Sequence, residues 1–225
     1  MLESNVSLIR LLQLCSSALP IGGFTYSQGI EWAVEGHWVN SENDLRAWLL
    51  ELIKTNLQQL EIPVFLRMLR ACEDNDELAL KRWSDILLAY RETSELRLEE
   101  NNRGRAMTRL LIDLEVEAST DLQSTLAKTQ TAGFALAVNQ WGIPVNIAAH
   151  GFAWTWLENL VISGVKLIPL GQVSGQRILR DLAKPLATAV EQGLEILDED
   201  IGSSSPALAH ASARHETQYT RLFRS

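Results

Sequence analysis

The four histidines are the residues of this sequence best suited to bind a transition metal or to transfer protons near neutral pH. His210 and His215 lie five residues apart, so a helix would point them to different faces. His37 and His150 have no neighbouring His or Cys at the spacing of metal ligands. The spacing therefore predicts no metal site within one chain, with ligands shared between subunits as the alternative.

Motifs for nucleophiles and nucleotides are also absent from the sequence. It contains no GxxxxGK[ST] loop for phosphates, no GxSxG nucleophile turn and no HExxH zinc motif. Cys15 and Cys72 follow no CxxC spacing, which is typical of reduced thiols in a helical core.

A pair of carboxyl groups could act as general acid and base if apolar surroundings shifted their pKa values. The pairs that the sequence offers are Glu99 with Glu100 and the run from Asp198 to Asp200, but each lies among other charged residues. We therefore expect exposed, solvated carboxylates, with Glu99 paired to Arg103 four residues later on a helix. Without a catalytic set, the sequence predicts a binding or scaffolding protein rather than an enzyme.

Composition places the chain among ordinary globular proteins. Its 225 residues are 46% apolar and 21% charged, enough for a stable domain without disulfides or metals. The 28 acidic residues exceed the 20 basic ones, which argues against nucleic acid or an anionic membrane as a partner. The N-terminal apolar stretch lacks a preceding basic segment, and no apolar run is long enough to span a membrane. We therefore expect a cytoplasmic protein.

The elements that must position any site are predicted to be helices. Apolar residues recur every three and four positions along most of the chain, as in the stripe of Leu8, Leu11, Leu12 and Cys15. No long stretch alternates with the period that marks a strand. We predict an all-α fold, with a single helical-bundle domain of about eight to ten helices over residues 1–197, a flexible linker at 198–206 and a short tail at 207–225.

Local features refine these helices. Ser41 can cap a helix that begins just after it, and Pro63 suits the first turn of the next one. Pro185 should kink the last long helix. The segment from Val145 to Leu170 is apolar nearly all round, so this helix should be central in the bundle or lie at the interface of a homodimer.

The stretch ALPIGGFTYSQGIE, residues 18–31, interrupts the helical pattern. Pro20, Gly22 and Gly23 break a helix, yet Phe24 and Tyr26 are large for an idle loop. A stiff corner with aromatic anchors and glycines that allow close backbone approach suits a protein contact surface. The alternative is a corner that packs on the body to turn the chain, and the two combine if Phe24 packs inward while Tyr26 faces outward.

The tail ALAHASARHETQYTRLFRS, residues 207–225, differs in charge from the acidic body. It carries three arginines and two histidines against one glutamate, with apolar groups near its end. Beyond a flexible linker, such a segment is a candidate docking element that becomes ordered on binding a partner. The alternative is a C-terminal helix folded back on its own acidic body.

Four stretches resemble the UreF family of urease accessory proteins: ALPIGGFTYSQGIEWAVE, RETSELR, FAWTWLENLVISGVKLIPLGQVSGQR and SARHETQYTRLFRS. The resemblance implies an all-α, dimeric, non-catalytic chaperone that binds the accessory protein UreD, also called UreH, and recruits the GTPase UreG to apo-urease for GTP-dependent nickel insertion. Partner proteins would handle the nickel and the GTP, so no cofactor is expected here. An alternative is regulation of UreG GTP hydrolysis, with Lys166 or an arginine entering the nucleotide site.

The resemblance also implies which residues meet partners. At the corner they are Phe24, Tyr26 and Gln28. Lys166 would meet UreG together with Gln172 and Gln176, and Trp154 would lie at the dimer interface. UreD would order the tail residues His215, Glu216, Tyr219, Arg221, Leu222, Phe223 and Arg224. In that complex the apolar side chains would anchor the tail and the arginines would donate charge-assisted hydrogen bonds.

Overall fold

The computed structural model describes residues 2–225, with side chains from Asn5 onward, and these residues form helices and no strand. The α-helices are α1 (Leu2–Leu14), α2 (Ile30–Glu35), α3 (Glu42–Leu52), α4 (Ile62–Glu73), α5 (Glu77–Ala89), α6 (Ser94–Asp113), α7 (Gln123–Leu126), α8 (Gln130–Gln140), α9 (Val145–Leu167), α10 (Gln172–Leu194) and α11 (Pro206–His215). The predicted all-α bundle is confirmed. In the described part of the chain, no helix is both long and apolar enough to cross a lipid bilayer.

Helices α3 and α4 are joined without a break by a π-helical segment, Ile53–Glu61. The predicted cap is confirmed, because Ser41 Oγ accepts the N–H of Asp44 at 3.2 Å. Pro63 lies in the first turn of α4, as predicted, where its missing N–H costs little. The π segment, whose wider turns bond residues five apart, ends at the buried Glu61. Its apolar pattern resembles that of an ordinary helix, so the sequence did not predict it.

The centre of the bundle lies where α4, α8 and α9 meet. Phe65, Phe134 and Phe152 pack there, one from each helix, with ring centroids 5.7, 5.5 and 5.4 Å apart. Gly133 allows α8 to approach α6 closely, since a Cβ at that position would lie 2.7 Å from Cγ of Met107. This packing fixes the mutual positions of the helices that carry the buried charges described below.

The predicted long apolar helix is α9, and one of its faces is central to the bundle. Phe152, Leu157 and Leu160 are buried, whereas Ile147 and Trp154 are exposed. The next helix, α10, contains Pro185 within its length, and a kink there stays a prediction.

The segment after α10 and the tail both contact the body. In the segment predicted as a linker, Arg67 Nε donates to Asp198 Oδ1 at 2.8 Å, and the N–H of Gly202 donates to the carbonyl of Gln59 at 2.9 Å. Helix α11 packs on α2, and a Cβ at Gly29 would lie 3.2 Å from Cβ of Ala211. In this structure of the chain by itself, the tail is folded back on its own body, which is the alternative that the sequence analysis left open.

Candidate partner-binding site

Two motifs that are far apart in sequence form one surface, which we call the corner–tail junction and define as residues 18–31 and 215–225. The N–H of Ser27 donates to the main-chain oxygen of Ser225 at 2.8 Å, and the Ser27 hydroxyl donates to the same oxygen at 2.6 Å. The N–H of Arg224 donates to the carbonyl of Thr25 at 2.9 Å. Main-chain hydrogen bonds thus hold the end of the tail along the corner.

Glu31 is the principal acceptor for the tail. It lies in α2, is 7% exposed, and accepts the N–H groups of Leu222 at 2.6 Å and Phe223 at 2.8 Å. A buried carboxylate requires such donors, because an unpaired buried charge is strongly unfavourable. Glu31 is therefore stabilised by the tail, and the tail is oriented by Glu31.

His215 connects the tail to two helices of the body. Its fully buried ring has Nε2 3.1 Å from Oε2 of Glu31 and Nδ1 2.6 Å from Oε2 of Glu95 in α6. Each ring nitrogen thus lies within hydrogen-bonding distance of one carboxylate oxygen. Arg221 donates to the second oxygen of Glu95 at 2.5 Å. Glu31 of α2 and Glu95 of α6 therefore both contact the tail.

Glu216 adds a second contact between the tail and α6. Its Oε1 accepts the N–H of Ser94 at 2.8 Å and the Ser94 hydroxyl at 2.5 Å, at the first turn of that helix. The hydrogen bond from the hydroxyl lowers the pKa of Glu216 below its ordinary value. A carboxylate at a helix N-terminus also interacts favourably with the helix dipole.

Glycines give the corner its shape. Gly22 and Gly29 have φ of 72° and 79°, a region that other residues enter only with strain. Gln28 nevertheless has φ of 49°, and its side chain is held by a hydrogen bond from Nε2 to Oε1 of Glu99 at 3.0 Å. Gly23 lies against α9, where a Cβ would be 3.0 Å from Nδ2 of Asn159. The corner is thus fixed between α9, α6 and the tail.

The two aromatic residues of the corner point in opposite directions. Phe24 is 56% exposed, whereas Tyr26 is 5% exposed and its hydroxyl accepts a hydrogen bond from Nδ2 of Asn102 at 3.3 Å. Phe24 packed inward with Tyr26 facing outward was one expectation from the sequence, and the structure has the reverse. Tyr26 turns inward because its hydroxyl finds a donor on α6.

Glu99 and Glu100 are buried, so the expectation of solvated carboxylates was wrong for this pair. Glu99 is 3% exposed, and it accepts Nη1 of Arg103 at 2.9 Å and the hydroxyl of Ser225 at 2.8 Å. The predicted pairing of Glu99 with Arg103 is confirmed, although inside the protein. Enough donors surround these carboxylates to offset the cost of burial.

Glu100 belongs to a buried ion network beside the junction. Arg91 Nη2 lies 2.7 Å from Glu100, and its Nη1 lies 2.6 Å from Glu61 at the end of the π segment. Burial alone would lower the pKa of Arg91, but attraction by Glu61 and Glu100 outweighs it and raises the pKa.

Most of the other predicted partner residues are exposed. Lys166 is exposed on α9, with Nζ 5.9 Å from the ring centroid of Phe223, so α9 also borders the junction. Gln172 and Gln176 are exposed at the start of α10, and no described hydrogen bond joins them to the junction. In the tail, Phe223 and His215 are buried, whereas the predicted partner residues Glu216, Tyr219, Arg221, Leu222 and Arg224 are exposed.

A second group of exposed apolar side chains lies on α1 and α9 and includes Trp154. This side chain is 37% exposed on α9, with Ile147 also exposed on the same helix. Beside α9, helix α1 leaves Val6, Leu8, Ile9 and Leu12 exposed and turns Leu11 and Leu14 inward. A Cβ at Gly151 of α9 would lie 2.8 Å from Sγ of Cys15, which shows how closely the two segments approach. We call these exposed side chains the α1–α9 face.

The described part of the chain contains no cluster of metal ligands, and its two thiols are half-buried and buried. No three His, Cys, Asp or Glu residues there are grouped so as to hold a metal ion. Burial raises the pKa of the Cys15 thiol, and it raises that of Cys72 to about 12. Both thiols are therefore in the neutral, unreactive form near pH 7.

The two acceptors that organise the junction, Glu31 and Glu95, were not predicted from the sequence. Glu31 stands in the quoted corner motif, but its burial and its hydrogen bonds arise from the distant tail. Charge imbalance was the only available signal, since a basic tail on an acidic body requires carboxylate partners somewhere.

Known proteins to which this chain is similar carry the same family name. The family model for UreF matches residues 39–183. A protein of Alcanivorax borkumensis is 50% identical over 228 residues, covering 99% of this chain and all of the relative. A protein of Pseudomonas putida is 47% identical over 224 residues, covering both chains completely, and one of Citrobacter koseri is 46% identical over 217 residues, covering 96% of this chain and 97% of the relative. Each relative carries the name urease accessory protein UreF.

Proposed function

This chain belongs to the UreF family of urease accessory proteins, and we propose that it is a non-catalytic adaptor in the assembly of the nickel site of urease. It binds UreD, also called UreH, and recruits the GTPase UreG to apo-urease in the cytoplasm. The partner proteins hold the nickel and hydrolyse the GTP. The observation that carries this proposal is the corner–tail junction, where the corner, the tail and the Lys166 end of α9 converge.

The junction has the properties of a contact surface for proteins. Phe24, Leu222 and Tyr219 are large side chains whose apolar surface is left in water, 56%, 68% and fully exposed respectively. Glu31 holds the backbone of Leu222, and a main-chain hydrogen bond from Arg224 to Thr25 joins the tail to the corner beside Phe24. Such pre-organised anchors lower the entropy cost of binding, which favours high affinity. UreD binds the tail side of this surface, and UreG binds the side with Lys166, Gln172 and Gln176.

The active form is a homodimer that buries the α1–α9 face. Leu8, Ile9, Leu12 and Trp154 are between 37% and 64% exposed, and surface patches of this kind are uncommon on monomers. A two-fold axis would pair the face with itself, so that Trp154 of each protomer packs against the other. This arrangement leaves both junctions free for partners.

A second candidate function is regulation of UreG. Lys166 has no carboxylate partner among the described residues, and its Nζ lies over the ring of Phe223. An unpaired ammonium group at a binding surface could enter a nucleotide site and alter the charge at the transferring phosphate. UreG turnover measured with wild-type protein and with Lys166→Met separates the two functions. An adaptor leaves turnover per bound UreG unchanged by the substitution, whereas a regulator changes it.

The adaptor proposal is tested with exposed anchors, so that folding is preserved. Phe24→Ala and Leu222→Ala together should lower the affinity for UreD and UreG by at least about tenfold, as hot-spot truncations do. Leu78→Ala is the matched control, because Leu78 is 80% exposed on α5, outside the junction. Size-exclusion chromatography with light scattering would measure complex formation. Equal complex formation by all three proteins would overturn the proposal that the junction binds partners.

A further inference from the structure

A groove between α6 and α7 lies outside the junction and the α1–α9 face. It has a volume of about 530 Å³. Arg105 and Arg109 line it from α6, Gln123 and Ser124 from α7, and Ile112 and Ala127 form apolar parts of its wall. None of the residues that line this groove is acidic. The charge of the groove is thus opposite in sign to the formal charge of the whole chain, which is −8.

Neither arginine of the groove pairs with a carboxylate among the described residues. Within the described residues, Arg109 makes no hydrogen bond or ion pair, and Arg105 bonds to the neutral Oδ1 of Asn102 at 2.6 Å. By contrast, Arg103 on the same helix pairs with Glu99, and Arg91 pairs with two carboxylates. Arg105 and Arg109 are one helical turn apart, so their like charges repel and no acidic side chain in the groove relieves the repulsion.

We propose that this groove is a second docking site, which binds an acidic segment of a partner protein through Arg105 and Arg109. Each guanidinium group can hold a carboxylate by two parallel hydrogen bonds. The exposed amide of Gln123 and hydroxyl of Ser124 can bond to the peptide backbone from the opposite wall. Ile112 and Ala127 give the segment apolar surface to cover.

The assignment to a protein partner rests on the proposed adaptor function, because an adaptor requires more than one protein contact. Anion binding itself rests only on the groove. The two can be tested separately, since binding of a peptide by the isolated chain requires neither UreD nor UreG.

The test uses a fluorescein-labelled hexaglutamate peptide and measures its anisotropy with the full chain. Arg105→Ala/Arg109→Ala should bind the peptide at least about tenfold more weakly than wild type, the sum of two exposed charge pairs. Lys54→Ala/Lys184→Ala is the control with the same change in net charge, since both lysines are exposed and lie outside the groove. The affinity of this control variant for the peptide should stay within about twofold of the wild-type affinity. Binding of the peptide to the wild-type chain should weaken as the salt concentration is raised.

Three outcomes would overturn the proposal. Equal weakening in the two double variants would mean that the peptide responds to net charge alone. A wild-type chain that does not bind the peptide would show that the groove is not a docking site. Inorganic phosphate that binds with the same arginine dependence, while the peptide does not bind, would make the groove a small-anion site. None of these outcomes bears on the complex formed at the junction, which the Phe24 and Leu222 variants measure.

Discussion

The buried imidazole of His215 lies 3.1 Å from the carboxylate of Glu31, and the same carboxylate accepts the N–H of Phe223 at 2.8 Å. A residue near the start of the chain thereby holds two points of its C-terminal tail. Phe24 and Leu222, one in the corner and one in the tail, are exposed. The surface proposed to bind partners therefore depends on a buried polar cluster that does not itself touch them.

Glu31→Gln should loosen the tail while the bundle stays folded. The amide keeps the shape of the side chain but loses the charge of the carboxylate. That carboxylate contacts His215 and accepts hydrogen bonds from the N–H groups of Leu222 and Phe223. Hydrogen bonds to a charged group contribute about 1.5–3 kcal/mol, so hydrogen exchange at residues 222 and 223 should accelerate by about tenfold or more. Glu35→Gln is the control on the same helix, where the side chain is exposed. Unchanged exchange in Glu31→Gln would show that the carboxylate does not hold the tail.

Gly29→Ala should destabilise the contact between the corner and α11. Gly29 has φ of 79°, and an added Cβ would lie 3.2 Å from both Cβ of Ala211 and the amide nitrogen of Ser212. Strain of this kind costs about 1–3 kcal/mol in the free energy of unfolding. Gly171→Ala is the control, with φ of −73° and no atom within 4 Å of the added Cβ. Urea unfolding would measure both variants, and an equal effect would contradict the role given to Gly29.

Arg91→Met should be among the most destabilising single changes in the chain. It leaves Glu61 and Glu100 buried without the guanidinium that pairs with both. Breaking a buried ion pair from one side costs about 3–5 kcal/mol. Arg180→Met removes a pair whose arginine is 73% exposed and should cost less than about 1 kcal/mol. A similar midpoint of urea unfolding for the two variants would show that the Arg91 network contributes little to stability.

Acid unfolding should report on the pair formed by Glu42 and Arg177. The bidentate hydrogen bond from Arg177 lowers the pKa of Glu42 from 4.5 to about 2. A carboxyl group with a lowered folded-state pKa stabilises the fold above its ordinary pKa, and this contribution is lost as the pH falls from 4.5 towards 2. In Glu42→Gln the free energy of unfolding should therefore fall less steeply over that range. High salt should shrink the difference, because this surface pair is screened by ions.

The sequence predicted those features of the fold that depend on local pattern. Apolar periodicity indicated the all-α bundle, and residue type indicated the Ser41 cap and the position of Pro63. The π segment was missed because its apolar spacing is close to that of an α-helix. Features that depend on distant residues were the least predictable. Glu99 and Glu100 looked solvated among their charged neighbours in sequence, yet Arg103, Arg91 and Ser225 pair with them inside the fold.

The candidate site was predicted in part. Corner and tail were both singled out from the sequence, but nothing in either motif showed that they contact each other or that Glu31 links them. Phe24 and Tyr26 could not be told apart by residue type, since their orientation is set by Asn102 on α6 and by the surrounding packing. A tail folded on the body is compatible with docking, because Tyr219, Leu222 and Arg224 remain exposed there.

The most direct test of the adaptor account compares the intact chain with a chain truncated after Glu216. Each would be mixed with UreD and UreG and analysed by size-exclusion chromatography with light scattering, with circular dichroism to confirm the helical fold. The account predicts that the intact chain forms a complex and that the truncated chain stays a folded homodimer alone. A truncated chain that binds UreD as well as the intact one would contradict the account.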